Sequence, residues 1–470
     1  MAGHLMLQVL ATHKGNPFRA GGWIFLGFLS ATGLAVGITG VVHYGYIGQD
    51  FQLHRDLIVS FPRTFNYGLN DPPGLYWFGS LVRECVGPAH YLEAIALAFL
   101  ALNASALWIF YRLLWASIAQ WQLRCAAAAL ITLIPFRVIH SVVLAADAFT
   151  LPVFALTVLL SLRLFKDPRG VPCWIGLSLC LAAGILCKYT VVGLLPPLAL
   201  LLGIALWRRL SGGDRLRWGA VAVAALLPPA AVFLLQMRAS AGLKGPITNQ
   251  QWLPHGSPPV MGWRDILVPK DRDMSLLERA PDYLRDRMYG AREYSYLGLL
   301  HASCFADILG YFQPPPEGVS TDWARRTQEP FQRGRTALSQ ELQTWSVRLC
   351  LPFSVLAVAG TLVCSLLCIQ SAVSRNPRLP PAVVVMTALA AGFYLPILLS
   401  LHRLQDPYTP GFWLPRLVMP ALLVFFSLGF VLLDLIYQRL GSRLPILAEG
   451  LSAFAGYTLV ACALFVGFLC

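Results

Sequence analysis

The stretch WIGLSLCLAAGILCKYTVVGLLPPLALLLGIALW, residues 174–207, holds a single charged side chain, Lys188. A helix rises 1.5 Å per residue and a membrane crossing takes about 20 apolar residues. The stretch is therefore long for one crossing and short for two. Flanking charge decides between them. Arg163, Lys166 and Arg169 come before it, and Arg208, Arg209, Arg215 and Arg217 come after. Cations in short loops collect on the cytoplasmic side, so both clusters belong on one side and an even number of crossings separates them. The stretch reads as a hairpin whose arms are about 17 residues, or about 25 Å, each. Its tip, Lys188, then lies recessed below the headgroup plane, where an ammonium calls for an anionic partner.

The same pattern extends along the chain. With 57% hydrophobic and 13% charged residues in 470, the protein is too apolar for a soluble domain. The fold class is an all-α polytopic membrane protein. About eleven spans can be marked, near 23–43, 91–114, 121–136, 148–164, 171–187, 190–207, 218–237, 347–371, 381–401, 412–437 and 445–468. The first is too long for a cleaved leader and is kept as a span. The net charge of +13 is spread in short clusters between apolar runs, which excludes the continuous basic patch of a nucleic-acid binder. With Lys14 and Arg19 inside, Arg124, Arg375, Arg378, Arg439 and Arg443 all fall on the cytoplasmic side. Most of the eleven cysteines lie in apolar runs and act as small hydrophobes. No disulfide framework is indicated, although Cys85 and Cys304 fall in polar segments where pairing is open to them.

This topology divides the chain into three regions: an N-terminal bundle over 1–237 with a first outer loop at 44–90, an outer domain over 238–346, and C-terminal spans over 347–470. The outer domain carries near-equal acids and bases with many Pro, Gly and Trp, which suits a folded unit better than a disordered linker.

Ionisable residues in or beside spans are costly and tend to mark function. Four outer turns carry them. The first holds Asp50 at the membrane rim, His54 four residues on, and Asp56 and Asp71. The second holds Arg137, His140 and Asp147, and the third Lys188 with Tyr189. The fourth holds His402, Arg403, Asp406 and Arg416. Any one carboxylate taken alone reads more simply as loop solvation, and any one cation as an interfacial anchor. Together they offer cations to hold a phosphate and a carboxylate to take a proton at one membrane face.

The segment Asp50-Phe51-Gln52-Leu53-His54, followed by Asn70-Asp71-Pro72-Pro73-Gly74-Leu75-Tyr76-Trp77, resembles the first outer loop of GT-C superfamily membrane glycosyltransferases. Protein O-mannosyltransferases and lipid A aminoarabinose transferases are among them. Further similarities, in chain order, are Gly184-Ile185-Leu186-Cys187-Lys188-Tyr189-Thr190, Phe305-Ala306-Asp307-Ile308-Leu309-Gly310-Tyr311-Phe312, and Leu414-Pro415-Arg416-Leu417-Val418-Met419-Pro420. Many relatives carry Asp-Glu where this chain has Asp50-Phe51, and His where it has Asp71, which leaves a divalent metal an open question.

The resemblance implies transfer of a sugar from a polyprenyl-phosphate carrier to a glycan, lipid or protein acceptor at the outer face. In that reading Asp50 is the catalytic base. Lys188 and Arg416 hold the donor phosphate, with Arg137 and His140 behind them. His54, Asp56, Asp71, Tyr76, Asp147, Tyr189 and Asp307 contact substrate or support the site. No glycine-rich phosphate loop appears, in keeping with a lipid donor rather than a nucleotide. The partners are the lipid-linked donor, the acceptor and membrane lipids. The predicted outer segments hold no Asn-x-Ser/Thr sequon, which leans toward a plasma (inner) membrane location. Two other classes remain: a transporter or flippase, with charges at mid-membrane and inverted repeats, and a noncatalytic envelope scaffold.

Overall fold

The computed structural model describes residues 18–39, 51–63, 72–242, 263–278, 294–306, 337–373, 379–403, 418–441, 444 and 446–469. Among these every regular element is helical. The N-terminal half begins with α1 (Phe18–Thr39), two short helices α2 (Phe51–Ser60) and α3 (Gly74–Val86), and the long α4 (Tyr91–Ser117). Then come α5 (Trp121–Leu133), α6 (Pro135–His140), a 3-10 turn (Ala146–Phe149) and α7 (Thr150–Lys166). The hairpin expected over residues 174–207 forms from α8 (Val171–Cys187), a second 3-10 turn (Tyr189–Leu194) and α9 (Leu195–Arg209), and α10 (Gly212–Gly242) follows. Two short helices, α11 (Trp263–Leu267) and α12 (Asp273–Glu278), precede α13 (Tyr296–Phe305) and α14 (Ala337–Leu349). The chain closes with α15 (Leu351–Val373), α16 (Pro381–Arg403), α17 (Met419–Leu440) and α18 (Ile446–Leu469).

Among the described residues, seven stretches are long and apolar enough to cross a membrane: Tyr91–Ser117, Ala146–Lys166, Tyr189–Arg209, Gly212–Ala239, Leu338–Ser371, Met419–Leu440 and Ile446–Leu469. The chain is a multi-pass membrane protein. Four other expected spans form shorter apolar helices, Phe25–Thr39, Trp121–Leu133, Val171–Cys187 and Pro381–Pro396. Burial separates centre from rim. The apolar window of α17 is 72% buried inside the protein, whereas that of α10 is 11% buried and presents Val223, Leu227, Leu234 and Leu235 outward. Apolar side chains turned out from a bundle are at home in lipid, where they lose nothing by lacking a protein partner.

Small residues set the closest crossings. A Cβ at Gly360 of α15 would run into the Leu428 carbonyl oxygen and the Gly429 nitrogen of α17, so only glycine lets these two backbones meet. A Cβ at Gly193, in the second 3-10 turn, would lie 2.7 Å from the Gly392 carbonyl oxygen of α16. Asp434 of α17, 1% exposed, closes the α4–α5 corner. Its carboxylate accepts the backbone N–H groups of Ala119 and Gln120, each at 2.9 Å, and the Gln438 amide at 2.7 Å. Those N–H groups precede the first turn of α5, where a negative charge also meets the positive end of the helix dipole.

These contacts fix two ends of the bundle. Residues 72–76, 144–149 and 187–189 gather at one end, which we call the Lys188 end. Residues 118–120, 167–169, 208–217 and 434–438 lie at the other.

Two expectations gain detail. The segment 44–90, read as an outer loop, contains α2 and α3. Leu57, Ile58, Leu75 and Tyr76 from these helices join Tyr91, Ile95 and Phe99 of α4 and Leu144, Ala146 and Ala148 in a separate apolar cluster. Within residues 238–346, expected as an outer domain, α13 is apolar and enters the main core, with Phe305 against Phe426 of α17 and Phe465 of α18 at ring-centroid distances of 5.5 and 6.0 Å. Its His301 is pinned by both ring nitrogens. Nε2 donates to the Val347 carbonyl at 2.9 Å, which leaves Nδ1 to accept from the Ser354 hydroxyl at 2.8 Å. Cys85 is an exposed free thiol on α3 and Cys304 a buried one on α13, so they are not paired with each other.

Candidate functional site

The site at the Lys188 end grows from two turns. In the first, α8 stops at Cys187 because Lys188 takes an extended conformation (φ −152°, ψ 127°), while its N–H still bonds to the Gly184 carbonyl at 2.7 Å. A 3-10 turn over Tyr189–Leu194 then leads into α9, whose first turn contains Pro196 and Pro197. Prolines lack the N–H that a first helical turn leaves unused, so the chain can reverse there without an unsatisfied donor. The reversal uses few residues, which keeps its tip close to the helices.

The second turn links α6 to α7. Ala145 is extended (φ −150°, ψ 151°) and the 3-10 turn Ala146–Phe149 follows. The Thr150 hydroxyl donates to the Asp147 carbonyl at 2.7 Å. Asn103 of α4, fully buried, donates its side-chain amide to the Phe99 carbonyl at 2.8 Å and the Ala148 carbonyl at 3.1 Å, fastening this turn to the long helix.

The two turns meet in an ion pair. Lys188 Nζ lies 3.3 Å from Asp147 Oδ1, with side-chain exposures of 15% and 4%. The anionic partner expected for Lys188 is thus supplied in part by the protein itself. Such a pair, largely withdrawn from water, interacts more strongly than a surface pair, and its removal from solvent has to be offset by that interaction.

The segment that contains α2 and α3 adjoins it. A Cβ on Gly74, at the start of α3, would lie 2.6 Å from the Leu186 carbonyl oxygen and 2.7 Å from Cys187 Sγ, so glycine lets α3 abut the turn that carries Lys188. Two residues on, Tyr76 (1% exposed) shares a 3.0 Å hydrogen bond between its hydroxyl and Nδ1 of His54 (4% exposed), joining α3 to α2.

The remaining predicted residues are placed differently. Arg137 is 2% exposed and its guanidinium turns back to the Thr132 carbonyl on α5. The Thr132 hydroxyl meets Tyr111 Oη at 2.6 Å, and Gly33 of α1 faces Arg137 Nη2 closely enough that a Cβ there would sit 3.5 Å away. His140 is 5% exposed on α6, and Tyr189 is half-buried. Asp56 lies on the open face of α2, 65% exposed, and pairs at 2.9 Å with its neighbour Arg55, as a solvated loop carboxylate would. Asp50, Asp71, Asp307, Asp406 and Arg416 lie outside the described residues, as do the side chains of His402 and Arg403. Among the described residues no three His, Cys, Asp or Glu side chains converge as metal ligands would. Asn103 is the residue that sequence reasoning missed. Its signal was an amide inside an otherwise apolar span, where a polar group must find a partner.

Residues 70–234 match the family model of dolichyl-phosphate-mannose-protein mannosyltransferases. The chain is similar to the GT-C membrane glycosyltransferases. The matched stretch carries Tyr76, Arg137, His140, Asp147, Lys188 and Tyr189. Among solved structures, the apo oligosaccharyltransferase of Archaeoglobus fulgidus is 12% identical at a TM-score of 0.47, covering 95% of this chain and 56% of that one. The same archaeal enzyme, AglB, in complex with an inhibitory peptide and a dolichol-phosphate, is 11% identical at a TM-score of 0.44, covering 94% and 55%. The chain thus spans little more than half the length of these structures. No curated protein matches it.

Proposed function

We propose that the protein is a glycosyltransferase that moves a sugar from a polyprenyl-phosphate carrier to an acceptor hydroxyl at the outer face of the membrane, the face of the Lys188 end. The observation that carries this reading is the Lys188–Asp147 pair: a largely buried cation at the turn between α8 and α9, abutted by the start of α3. It lies within the stretch similar to the mannosyltransferase family.

In the reaction, the acceptor oxygen forms a bond to the anomeric carbon as the bond from that carbon to the phosphate oxygen breaks. The acceptor proton passes to Asp50, and the lipid phosphate leaves with the electron pair of the broken bond. Negative charge builds on the departing phosphate, so a fixed cation there favours the transition state over the ground state. Lys188 is assigned this role, with Arg416 as a second phosphate contact. Arg137 and His140 are assigned to the donor phosphate behind these two. The His54–Tyr76 bond braces α2, whose first residue follows Asp50 directly. Asp71, Asp307 and Tyr189 are assigned to substrate contact.

A transporter would bring its charges toward mid-membrane. Lys188 and Asp147 sit at the ends of their helices, which favours the transferase. Sugar transfer from synthetic polyprenyl-phosphate donors, measured with the purified chain in proteoliposomes, tests the proposal. Turnover that requires the lipid-linked donor supports it, and donor binding without any transfer across a panel of acceptors counts against it. Cysteines introduced near Gly256 and Gly318 should label from outside, whereas those near Gly212 and Ser374 should not. Outside labelling at Gly212 would overturn the orientation.

A further inference from the structure

The opposite end of the bundle carries a charged surface that this chemistry does not use. Arg163 and Lys166 end α7, Arg169 stands in the α7–α8 turn, Arg208 and Arg209 end α9, and Arg215 and Arg217 lie early in α10. The two turns are one surface, because Arg169 reaches across to Asp214 at 2.7 Å. Seven cations there face two carboxylates, Asp167 and Asp214, and Arg169 engages both: its side chain pairs with Asp214 and its N–H bonds to Asp167 Oδ1 at 3.0 Å. Arg208 donates to the Ser371 carbonyl at the end of α15 at 3.1 Å, so it is tied to the bundle. Lys166, Arg209 and Arg217 are exposed, and none has an ion pair with an acid among the described residues.

Large apolar groups are interleaved with these cations. Trp207 is 69% exposed and Leu216 is 81% exposed. The Arg215 guanidinium lies over the Trp207 ring at 4.4 Å and donates to the Leu210 carbonyl at 2.6 Å, which holds ring and charge in fixed register. An indole and a leucine open to solvent beside unneutralised cations, at the rim of a membrane bundle, match an interface of acyl chain and headgroup: the apolar groups enter the acyl region and the cations stay at phosphate depth.

We infer that the surface formed by the α7–α8 and α9–α10 turns binds the headgroups of anionic phospholipids, with Lys166, Arg209 and Arg217 on the phosphate and Trp207 and Leu216 set into the adjoining chains. The inference is independent of the transferase reading, since it uses the other end of the molecule.

The test is titration of the full chain, in a neutral detergent, with a fluorescent short-chain phosphatidylglycerol. Phosphatidylcholine and inorganic phosphate serve as competitors. Phosphatidylglycerol should bind at least tenfold more tightly than phosphatidylcholine, and inorganic phosphate should compete only weakly. Each cation contributes about a fivefold factor near an anionic surface, so the triple variant Lys166→Gln, Arg209→Gln, Arg217→Gln should lose roughly 100-fold in affinity. The charge-conserving variant Lys166→Arg, Arg209→Lys, Arg217→Lys should keep it within about threefold. If the triple glutamine variant fails to fold, the three single variants carry the test, each with a severalfold loss. Equal affinity for the two lipids, competition by inorganic phosphate at the same concentration, or glutamine variants that bind as the unmodified protein does would each overturn the inference.

Discussion

Replacing Lys188 with methionine keeps the length of the side chain and removes its charge, and the structure separates two consequences. The first is on stability. Lys188 and Asp147 are 15% and 4% exposed at a separation of 3.3 Å. Removing one member of a buried pair costs about 3–5 kcal/mol, and the partial exposure of Lys188 places this case near the lower bound. The second is on the donor. A charge-assisted contact to phosphate contributes about 1.5–3 kcal/mol, or roughly 10- to 150-fold in Kd. Adding Asp147→Asn to Lys188→Met removes the carboxylate that lost its counter-charge, so it should restore much of the stability without restoring donor affinity. Asp147→Asn alone should leave donor affinity intact or raise it, because the ammonium no longer divides its attraction between carboxylate and phosphate. Lys188→Arg should recover part of the donor binding. Thermal unfolding in detergent and equilibrium binding of a synthetic polyprenyl-phosphate sugar, run on all four variants, give both axes. A folded Lys188→Met protein with unaltered donor Kd would remove the phosphate-holding role from Lys188 and pass it to Arg416 or Arg137. Stability and affinity lost and regained together would instead mean that the pair is purely structural.

Three other outcomes are expected. Asp50→Asn should abolish sugar transfer while donor Kd stays within about threefold, since asparagine keeps the size but cannot take the proton; retained turnover would exclude Asp50 as the base. Asp434→Ala should lower stability by about 2–4 kcal/mol through loss of two charge-assisted backbone bonds at the α4–α5 corner, with Asp434→Asn intermediate; an unchanged unfolding midpoint in the alanine variant would refute the capping role. Gly360→Val should cost about 1–3 kcal/mol or more by forcing α15 away from α17, whereas Gly203→Val, at a position with nothing within 4 Å of a Cβ, should change the midpoint little. Equal effects at the two glycines would show that backbone approach is not what holds that crossing.

The hairpin over residues 174–207 could be read because charge supplies a sign that hydropathy lacks: cations flank it on both sides, and the two turns beyond its ends meet through Arg169 and Asp214. Lys188 precedes the 3-10 turn that leads into α9 and Arg209 ends that helix, so the two cations are separated by the whole second arm. What escaped the reading has one physical origin, which is that a sequence does not give distances between turns. Asp147 and Lys188 were each singled out, yet nothing in the 40 residues between them says that their side chains meet. Helix α13 was hidden for another reason. Ten largely apolar residues inside a polar segment are too few for a span and fit a strand or a buried helix equally well until packing decides. In α2 and α3 the buried face is built from Leu57, Ile58, Leu75 and Tyr76, which only become a face once α4 lies beneath them.

The contact between Gly193 and the Gly392 carbonyl carries a mechanical consequence. Most of what positions a side chain in a protein is other side chains, which can change rotamer and absorb a disturbance. Here the turn just beyond Lys188 rests on main chain against main chain, with Pro197 close against Gly392 from the same side. Such a seat has little compliance. The depth of the Lys188 amine in the bilayer is therefore referenced to α16 rather than to the lipid around it. Any tilt or slide of α16 would carry the amine along as a lever carries its tip, whereas bilayers of different thickness would leave it at the same height relative to α16.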